Sequence, residues 1–256
     1  MALQTITRTI TIDVDAPPQN LPESDGIPME SDWHRLAMWL LIDVTSYFLR
    51  PRQDYFVGGN MFIYYGESKA GELQCVGPDY FLVWDVPLNP PRRVWAVWNE
   101  QGQYPDLIIE LLSASTAKED RTTKKRLYEK VFSTSEYFLY DPETEALAGF
   151  RLQHQRYQAI KSNERGWLWC EQLGLWLGLW TGTYLEKQGT YPRFFDAEGK
   201  IIPTWAEAAQ QQAQAAQQQA QAAQQGLAKE RQRADAAEAE LVRLKEQLAK
   251  QPPNGR

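Results

Sequence analysis

A short apolar run with one acid inside it, Leu107–Leu112 with Glu110, constrains the fold of this chain more than any other feature. Residues of these types suit a buried strand. Because side chains alternate between the two faces of a strand, Asp106, Ile108 and Glu110 are predicted to share one face. A carboxylate in the middle of a core strand is costly unless a basic partner, a hydrogen-bond network or a metal ion compensates it. The run therefore predicts a core strand that carries a compensated acid.

The segment after this strand has the pattern of a helix followed by a second strand. Thr116 is a suitable helix N-cap, and Glu119 follows three residues later, which is the pattern of a capping box. The helix is expected to run to about Val131, and Glu136–Tyr140 has the composition of the next strand. A strand, a helix and a strand in this order predict a βαβ unit.

Three polar residues on the predicted helix recur with one spacing. Asp120, Lys124 and Tyr128 are separated by intervals of four, so they share one face of a helix. In a βαβ unit the helix packs beside the strand that precedes it. The sequence therefore predicts that this helix face lies next to the acidic strand.

Composition and charge exclude several classes of protein. The net charge of -6 and the isoelectric point near 5.2 are not those of a protein that coats nucleic acid through bulk charge. The two cysteines, Cys75 and Cys170, make no disulfide framework and favour a reduced, cytoplasmic protein. Cysteine and histidine spacing does not fit a zinc site. Neither a signal peptide nor a membrane span is predicted, because Leu36–Leu49, the longest apolar stretch, is interrupted by Asp43.

Changes in composition divide the chain into three parts. Residues 1–29 are predicted to be an extended or partly disordered lead-in, residues 30–204 a folded domain, and residues 205–256 a helical tail. The domain is expected to begin with a helix from Asp32 to Leu49 that Ser31 caps. His34 lies in its first turn and is interpreted as a partly exposed histidine at a helix start. Further strands are predicted at 54–65 (a strand or a hairpin pair), 80–86, 94–98, 149–153, 157–160, 167–169, 173–180 and 191–195.

The tail consists of residues that favour helices. Ala206–Gln225 is almost entirely alanine and glutamine, and the following residues to Lys250 are mostly Ala, Glu, Arg, Lys and Leu. A short heptad seam with one exception, Glu230, is formed by Leu227, Ala234, Ala237, Leu241, Leu244 and Leu248. Two interpretations stay open: a solvated helical tail, or a weak coiled coil that pairs subunits.

Two predicted strands each start with Pro-Asp, at Pro78-Asp79 and Pro105-Asp106, and the second also contains Glu110. A lysine follows on the adjoining helix. Asp and Glu oxygens bind Mg²⁺ directly while the ion keeps several waters. An acid pair with a nearby lysine is what metal-assisted attack of water on a phosphodiester requires, since the metal and the lysine offset the charge that builds on the phosphate.

These residues also resemble a known family. The run Pro105–Thr116, followed by Asp120, Lys124, Tyr128, Glu136-Tyr-Phe and Asp141-Pro142, resembles the Uma2 family, formerly a domain of unknown function. Gly77-Pro-Asp79 resembles the upstream Pro-Asp strand of that family. The resemblance covers roughly residues 28–205, and the ordered series is more specific than any single Pro-Asp pair.

The resemblance implies a restriction endonuclease-like fold of the PD-(D/E)xK superfamily. This is an α+β (α/β) fold whose mixed β-sheet core is flanked by helices, here with a C-terminal helical tail. Asp79 corresponds to the first metal-binding acid and Glu110 to the acid of the (D/E)xK strand, with Mg²⁺ as the expected ion and Mn²⁺ as an alternative. The pattern departs at Leu112, where a lysine is expected. Lys124 is the predicted replacement and Lys125 the weaker candidate.

Two functions follow from these residues. The first is a Mg²⁺-dependent DNA endonuclease in which Asp79, Glu110 and Lys124 are catalytic and Asp106 and Asp120 support them. Such a nuclease commonly works as a dimer, so a homodimer is predicted. The alternative is a nuclease fold without catalysis that recruits partners through its tail. In that interpretation Glu110 and Lys124 form only a buried structural salt bridge, and Asp79 is an ordinary acid at a strand start.

Overall fold

A computed structural model of the chain describes residues 21–22, 31–68 and 70–249. The predicted lead-in, residues 1–29, therefore lies outside the described residues except at 21–22. The chain divides into two units, Met1–Thr204 and Trp205–Arg256.

The described residues of the first unit form twelve strands, one long helix and a shorter helical segment. Helix α1 is Asp32–Phe48, and the helical segment covers residues 117–132. The strands are β1 Tyr55–Gly58, β2 Ile63–Glu67, β3 Leu73–Val76, β4 Tyr80–Trp84, β5 Trp95–Ala96, β6 Leu107–Leu111, β7 Glu136–Asp141, β8 Ala146–Gln153, β9 Arg156–Ala159, β10 Leu168–Cys170, β11 Leu175–Tyr184 and β12 Lys187–Phe195. They form a six-stranded sheet in the order β1-β4-β6-β7-β8-β9 and two three-stranded sheets, β10-β11-β12 and β3-β2-β5.

Strand β6 lies in the interior of the large sheet. It pairs antiparallel with β4 and parallel with β7, and all five of its residues are buried. The parallel pairing with β7 across the helical segment confirms the predicted βαβ unit. The side chains on the two faces of β6 belong to different apolar clusters. Ile108 packs with Tyr128, whereas Leu107 and Ile109 pack with α1. The predicted alternation of faces along this strand is also confirmed.

Helix α1 covers one side of the sheet. Ser31 caps it as predicted, because its hydroxyl accepts a hydrogen bond of 3.1 Å from the backbone N–H of His34. Leu36, Leu40 and Val44 recur at helical spacing and are buried in the same cluster as Leu107. This packing fixes the first turn of α1 near the start of β4.

Some strand predictions were wrong in pairing or extent. β1 and β2 do not form a hairpin with each other: β1 pairs with β4, whereas β2 pairs with β3 and β5. The chain separates the two strands at Gly59, which lies against the backbone of Asp79, and at Asn60, whose φ is 48°. Strand β3 was not predicted, and β5 is shorter than the predicted 94–98.

The described part of the second unit is the helix Trp205–Ala249, which we call the tail helix. None of the described helices combines the length and the apolar character that crossing a bilayer requires. The mixed sheet, the helices beside it and the helical tail confirm the predicted α+β fold class.

Candidate active site

Glu110 lies at the centre of a buried polar cluster, which we call the acid cluster. Its side chain is fully buried in β6. Oε1 accepts hydrogen bonds from Tyr128 Oη at 2.8 Å and from Lys124 Nζ at 3.2 Å, while Oε2 accepts one from the backbone N–H of Asp79 at 3.2 Å. These hydrogen bonds offset the free-energy cost of burying the Glu110 carboxylate in a core strand.

Asp79 stands just before β4, directly across the sheet from Glu110. The pairing of Tyr80 with Ile109 continues to these two residues and sets them side by side. Asp79 Oδ2 accepts a hydrogen bond of 2.7 Å from the backbone N–H of Leu111, and Oδ1 lies 2.7 Å from His34 Nε2. Two elements therefore orient the Asp79 carboxylate, strand β6 and helix α1.

The helical segment delivers Asp120, Lys124 and Tyr128 to the same cluster. Lys124 Nζ lies 2.8 Å from Asp120 Oδ1 as well as 3.2 Å from Glu110, and Asp120 is buried. The predicted shared face of these three residues is thus confirmed. The segment is not a regular α-helix, since Asp120–Lys124 and Tyr128–Phe132 are π-helical. Such π-turns are rare and occur often at functional sites.

The start of this segment differs from its prediction. The capping box is wrong: Thr116 already has helical backbone angles, φ -99° and ψ -21°, and makes no side-chain capping bond to the described helix. Ser113 takes this role in part, because its hydroxyl accepts a hydrogen bond of 3.1 Å from the backbone N–H of Thr116.

Two of the predicted candidate residues lie apart from the cluster. Asp106 Oδ2 accepts a hydrogen bond of 2.9 Å from the backbone N–H of Trp84, at the opposite end of β4 from Asp79. Four residues along a strand separate it from Glu110, which is about 13 Å. Lys125 Nζ lies over the ring of Phe150, 3.2 Å from its centre. The structure thus brings Asp79, Glu110, Asp120 and Lys124 together, but not Asp106 or Lys125.

His34 joins the site without having been predicted. Its ring is nearly buried and contacts Asp79, although the sequence pattern suggested a partly exposed histidine at a helix start. The two residues are 45 positions apart, so no local spacing links them. Only the packing of α1 against the start of β4 reveals the contact.

The cluster holds more negative than positive charge, and this imbalance shifts its ionisation. Burial raises the pKa of Glu110 well above its ordinary value, and the neighbouring charges of Asp79 and Asp120 raise it further against the opposing effect of Lys124. Burial likewise raises the pKa of Asp120. Glu110 therefore binds a proton more readily than an exposed glutamate.

Lys124 and Tyr128 keep their protons in this environment. Burial acts to lower the pKa of Lys124, but the charges of Glu110 and Asp120 outweigh burial, so the pKa lies above its ordinary value. Burial and the charge of Glu110 raise the pKa of the Tyr128 phenol. Both groups act as hydrogen-bond donors to Glu110 at neutral pH.

The donor set of this cluster fits a hard divalent cation. Asp79 and Glu110 offer carboxylate oxygens side by side, and three carboxylates face one ammonium, so a divalent cation would relieve the charge imbalance. Within residues 21–22, 31–68 and 70–249, no three His, Cys, Asp or Glu side chains are grouped to hold an ion by themselves. Mg²⁺ commonly binds through one or two carboxylates and completes its shell with water and substrate phosphate, so two acids suffice.

A polar cavity of about 290 Å³ lies elsewhere in the described domain. It is lined by Asp85, Arg92 and Glu100 among others, and none of its lining residues belongs to the acid cluster. Asp85 follows β4, whereas Asp79 precedes it, so the cavity and the cluster are at opposite ends of this strand. The cavity is therefore separate from the candidate active site.

Comparison with known proteins places this site in a family. Residues 26–185 match the family model Uma2, described as "Putative restriction endonuclease". Among solved structures, a "putative nuclease belonging to DUF820" from Anabaena variabilis matches with 16% identity and a TM-score of 0.43 over 60% of this chain and 86% of that chain. No curated protein matches the chain. The matched region includes every residue of the acid cluster.

Proposed function

The chain belongs to the Uma2 family, and we propose that it is a metal-dependent nuclease that hydrolyses phosphodiester bonds in DNA. One observation carries this proposal: two adjacent strand acids, Asp79 and Glu110, meet a protonated lysine, Lys124, in a buried cluster. Lys124 comes from the helical segment. It would replace the lysine that the family pattern expects at the position of Leu112.

Asp79 and Glu110 would hold Mg²⁺, or Mn²⁺ in its place. The bound ion supplies Lewis acidity that lowers the pKa of water and offsets the charge that builds on the phosphate. The chain contributes the orientation of the two ligands. His34 and the backbone N–H of Leu111 fix the carboxylate of Asp79, and Tyr128 fixes that of Glu110.

Lys124 would act on the substrate. Its ammonium is held between Glu110 and Asp120, and its side chain keeps 14% of its surface exposed, unlike those of the two acids it contacts. A cation that is fixed in this way can donate a hydrogen bond to a phosphate oxygen or to the attacking water. Asp120 is then a positioning residue for Lys124.

The partners and the location belong to the same proposal. DNA is the proposed substrate, and a homodimer is proposed because a nuclease that cuts both strands of a duplex commonly works as a dimer. A cytoplasmic location is proposed because Cys75 and Cys170 form no disulfide, as in a reducing compartment.

A second candidate function rests on the hydrogen bonds and ion pairs that the side chains of the cluster already make with partners inside the protein. Both oxygens of Asp79 already have partners, and Lys124 is bound by two acids, as in a structural network. This favours a nuclease fold retained as a binding or assembly module. Metal binding separates the two functions: a catalytic cluster should bind Mg²⁺ or Mn²⁺, whereas a structural one should not.

The test is calorimetric titration of the purified chain with Mn²⁺ and Mg²⁺, together with cleavage of a supercoiled plasmid in Mn²⁺, Mg²⁺ or EDTA. A nuclease should bind the ions, be stabilised thermally by them and nick the plasmid only in their presence. Binding should be lost in Glu110→Gln and kept in Asp106→Asn. Wild-type protein that neither binds the ions nor cuts would overturn the proposal in favour of the binding module.

A further inference from the structure

The tail helix exposes an unusual amount of apolar surface. It spans 45 residues, which is about 68 Å at 1.5 Å per residue. Every residue from 209 to 246 is exposed, including Leu227 at 65%, Leu241 at 56% and Leu244 at 46%. Leucines in line along an exposed helix are typical of a face that a partner covers.

One heptad register of this helix has apolar residues at all but one of its a and d positions, although Val242 and several alanines lie outside it. The spacing alternates between three and four residues and continues from the leucines back through the alanines, with Glu230 as the one departure. The positions are Ala206, Ala209, Ala213, Ala216, Ala220, Ala223, Leu227, Ala234, Ala237, Leu241 and Leu244. A mean period of 3.5 residues is that of a left-handed coiled coil.

We infer that the tail helix pairs with the tail helix of a second copy of this chain as a parallel, in-register coiled coil. The order of the spacings places Leu227 at heptad position a and Glu230 at position d. Positions g and e then flank the seam. They contain Arg233 and Glu240 on one side, and Glu238 and Lys245 on the other.

Charge complementarity identifies the occupant and its direction. In a parallel pair each g residue contacts the e residue five positions later in the other chain. Arg233 then meets the partner's Glu238, and Glu240 meets the partner's Lys245. Twofold symmetry repeats both pairs, so the dimer contains four attractive contacts and no repulsive e–g contact.

An antiparallel pairing that overlaps the whole helix lacks this complementarity. It would set the charged half of the helix against the half from Ala206 to Gln225, whose flanking positions hold Gln210, Gln217 and Gln224. Arg233 and Glu240 would then face neutral amides. Among pairings that cover the whole seam, the charges therefore favour the parallel register.

Glu230 sets the strength of the pair. At position d of a parallel coiled coil it faces the partner's Glu230, and two like charges in a seam oppose association. The coiled coil is therefore weaker than its leucines alone would make it. Neither the seam nor its flanking charges depend on the proposed nuclease activity.

Disulfide trapping in the full chain tests the register. In a Cys75→Ser background, which removes the exposed thiol and keeps the buried Cys170, Ala237→Cys places a thiol at position d and Ala239→Cys places one on the opposite face. Mild oxidation should link the Ala237→Cys chains into covalent dimers at least tenfold faster than the Ala239→Cys chains. Equal rates, or no dimer from Ala237→Cys, would overturn the parallel register.

Sedimentation equilibrium of the full chain tests the charges and the seam. Arg233→Glu should weaken the dimer roughly three- to tenfold, and Arg233→Glu with Glu238→Arg should restore it. Glu230→Leu should tighten it by about tenfold or more. A monomer at all concentrations in both wild type and Glu230→Leu would overturn the inference. A dimer whose dissociation constant is the same in wild type, Arg233→Glu and the double variant would also overturn it. Neither assay reads DNA cleavage, so their failure is distinguishable from failure of the nuclease.

Discussion

The backbone N–H of Asp79 donates a hydrogen bond of 3.2 Å to Oε2 of Glu110, across the pairing of β4 with β6. In return, the Asp79 carboxylate accepts a hydrogen bond of 2.7 Å from the backbone N–H of Leu111, the residue after Glu110. Backbone groups of each strand thus hold the acid of the other. The separation of the two acids is therefore set by the sheet, which is rigid, rather than by side-chain rotamers alone.

Replacement of Lys124 should destabilise the domain strongly. Lys124→Met removes the cation between two buried carboxylates, and the uncompensated charge should lower the free energy of unfolding by about 3 kcal/mol at neutral pH. Urea unfolding measures this. Lys125→Met is the matched control, since Lys125 contacts the ring of Phe150 instead, and it should cost less than about 1 kcal/mol. Equal losses in the two variants would contradict the central place given to Lys124.

Local patterns predicted the parts of the site that lie close together in the chain. The apolar run around Glu110 predicted β6, and the spacing of Asp120, Lys124 and Tyr128 predicted the helix face that meets it, because both depend only on neighbouring residues. The π-turns preserved that face without leaving a sequence signal.

Long-range packing decided the rest. His34 meets Asp79 only because α1 packs on the sheet, and no spacing encodes a contact between residues 45 positions apart. Asp106 shares a face with Glu110 by alternation, but alternation gives a direction and not a distance. The separation of β1 from β2 likewise depends on a close approach of Gly59 to Asp79, which local propensity does not contain.

Glu110 should make the stability of the metal-free protein depend on pH. Its pKa in the folded state lies above the ordinary value of 4.5, so its contribution to stability is fully present below pH 4.5 and is lost as the pH rises through the folded-state pKa. In EDTA, the free energy of unfolding should therefore decline as the pH rises from 4.5 through the folded-state pKa of Glu110. In Glu110→Gln the decline should be reduced, leaving the smaller contribution of Asp120, whose pKa is also raised. An unchanged slope in Glu110→Gln would assign the effect to other groups.

The hydroxyl of Tyr128 should affect how the stability of the protein depends on pH. It donates a hydrogen bond of 2.8 Å to Glu110, and this bond favours the charged carboxylate. Tyr128→Phe should therefore raise the pKa of Glu110 further, move the decline in stability to higher pH and cost about 1 kcal/mol. Tyr157→Phe is the control, because its hydroxyl binds the carbonyl of Thr134 and not the cluster. A similar cost without the pH shift is expected there, and a shift in both variants would count against the role of Tyr128.

Gly59 should tolerate no side chain. A Cβ at this position would overlap the carbonyl oxygen of Asp79, so Gly59→Ala must displace the strand start that carries this acid. A loss of about 2 kcal/mol is expected, of the size of other overpacked sites, with weaker metal binding. Gly66→Ala is the control, because nothing lies within 4 Å of its Cβ. Thermal unfolding with and without Mn²⁺ distinguishes them, and equal behaviour of the two variants would refute the close approach.

The most direct test of the proposed site is plasmid cleavage by wild type, Glu110→Gln, Lys124→Ala and Lys125→Ala, in Mn²⁺, Mg²⁺ and EDTA. Circular dichroism of each variant first establishes that it is folded. We expect metal-dependent cleavage by wild type and Lys125→Ala, and a loss of at least about a hundredfold in Glu110→Gln and Lys124→Ala. Cleavage that survives in a folded Lys124→Ala variant, or that is lost equally in Lys125→Ala, would contradict the assignment of the lysine. Cleavage that survives in Glu110→Gln would contradict the site itself.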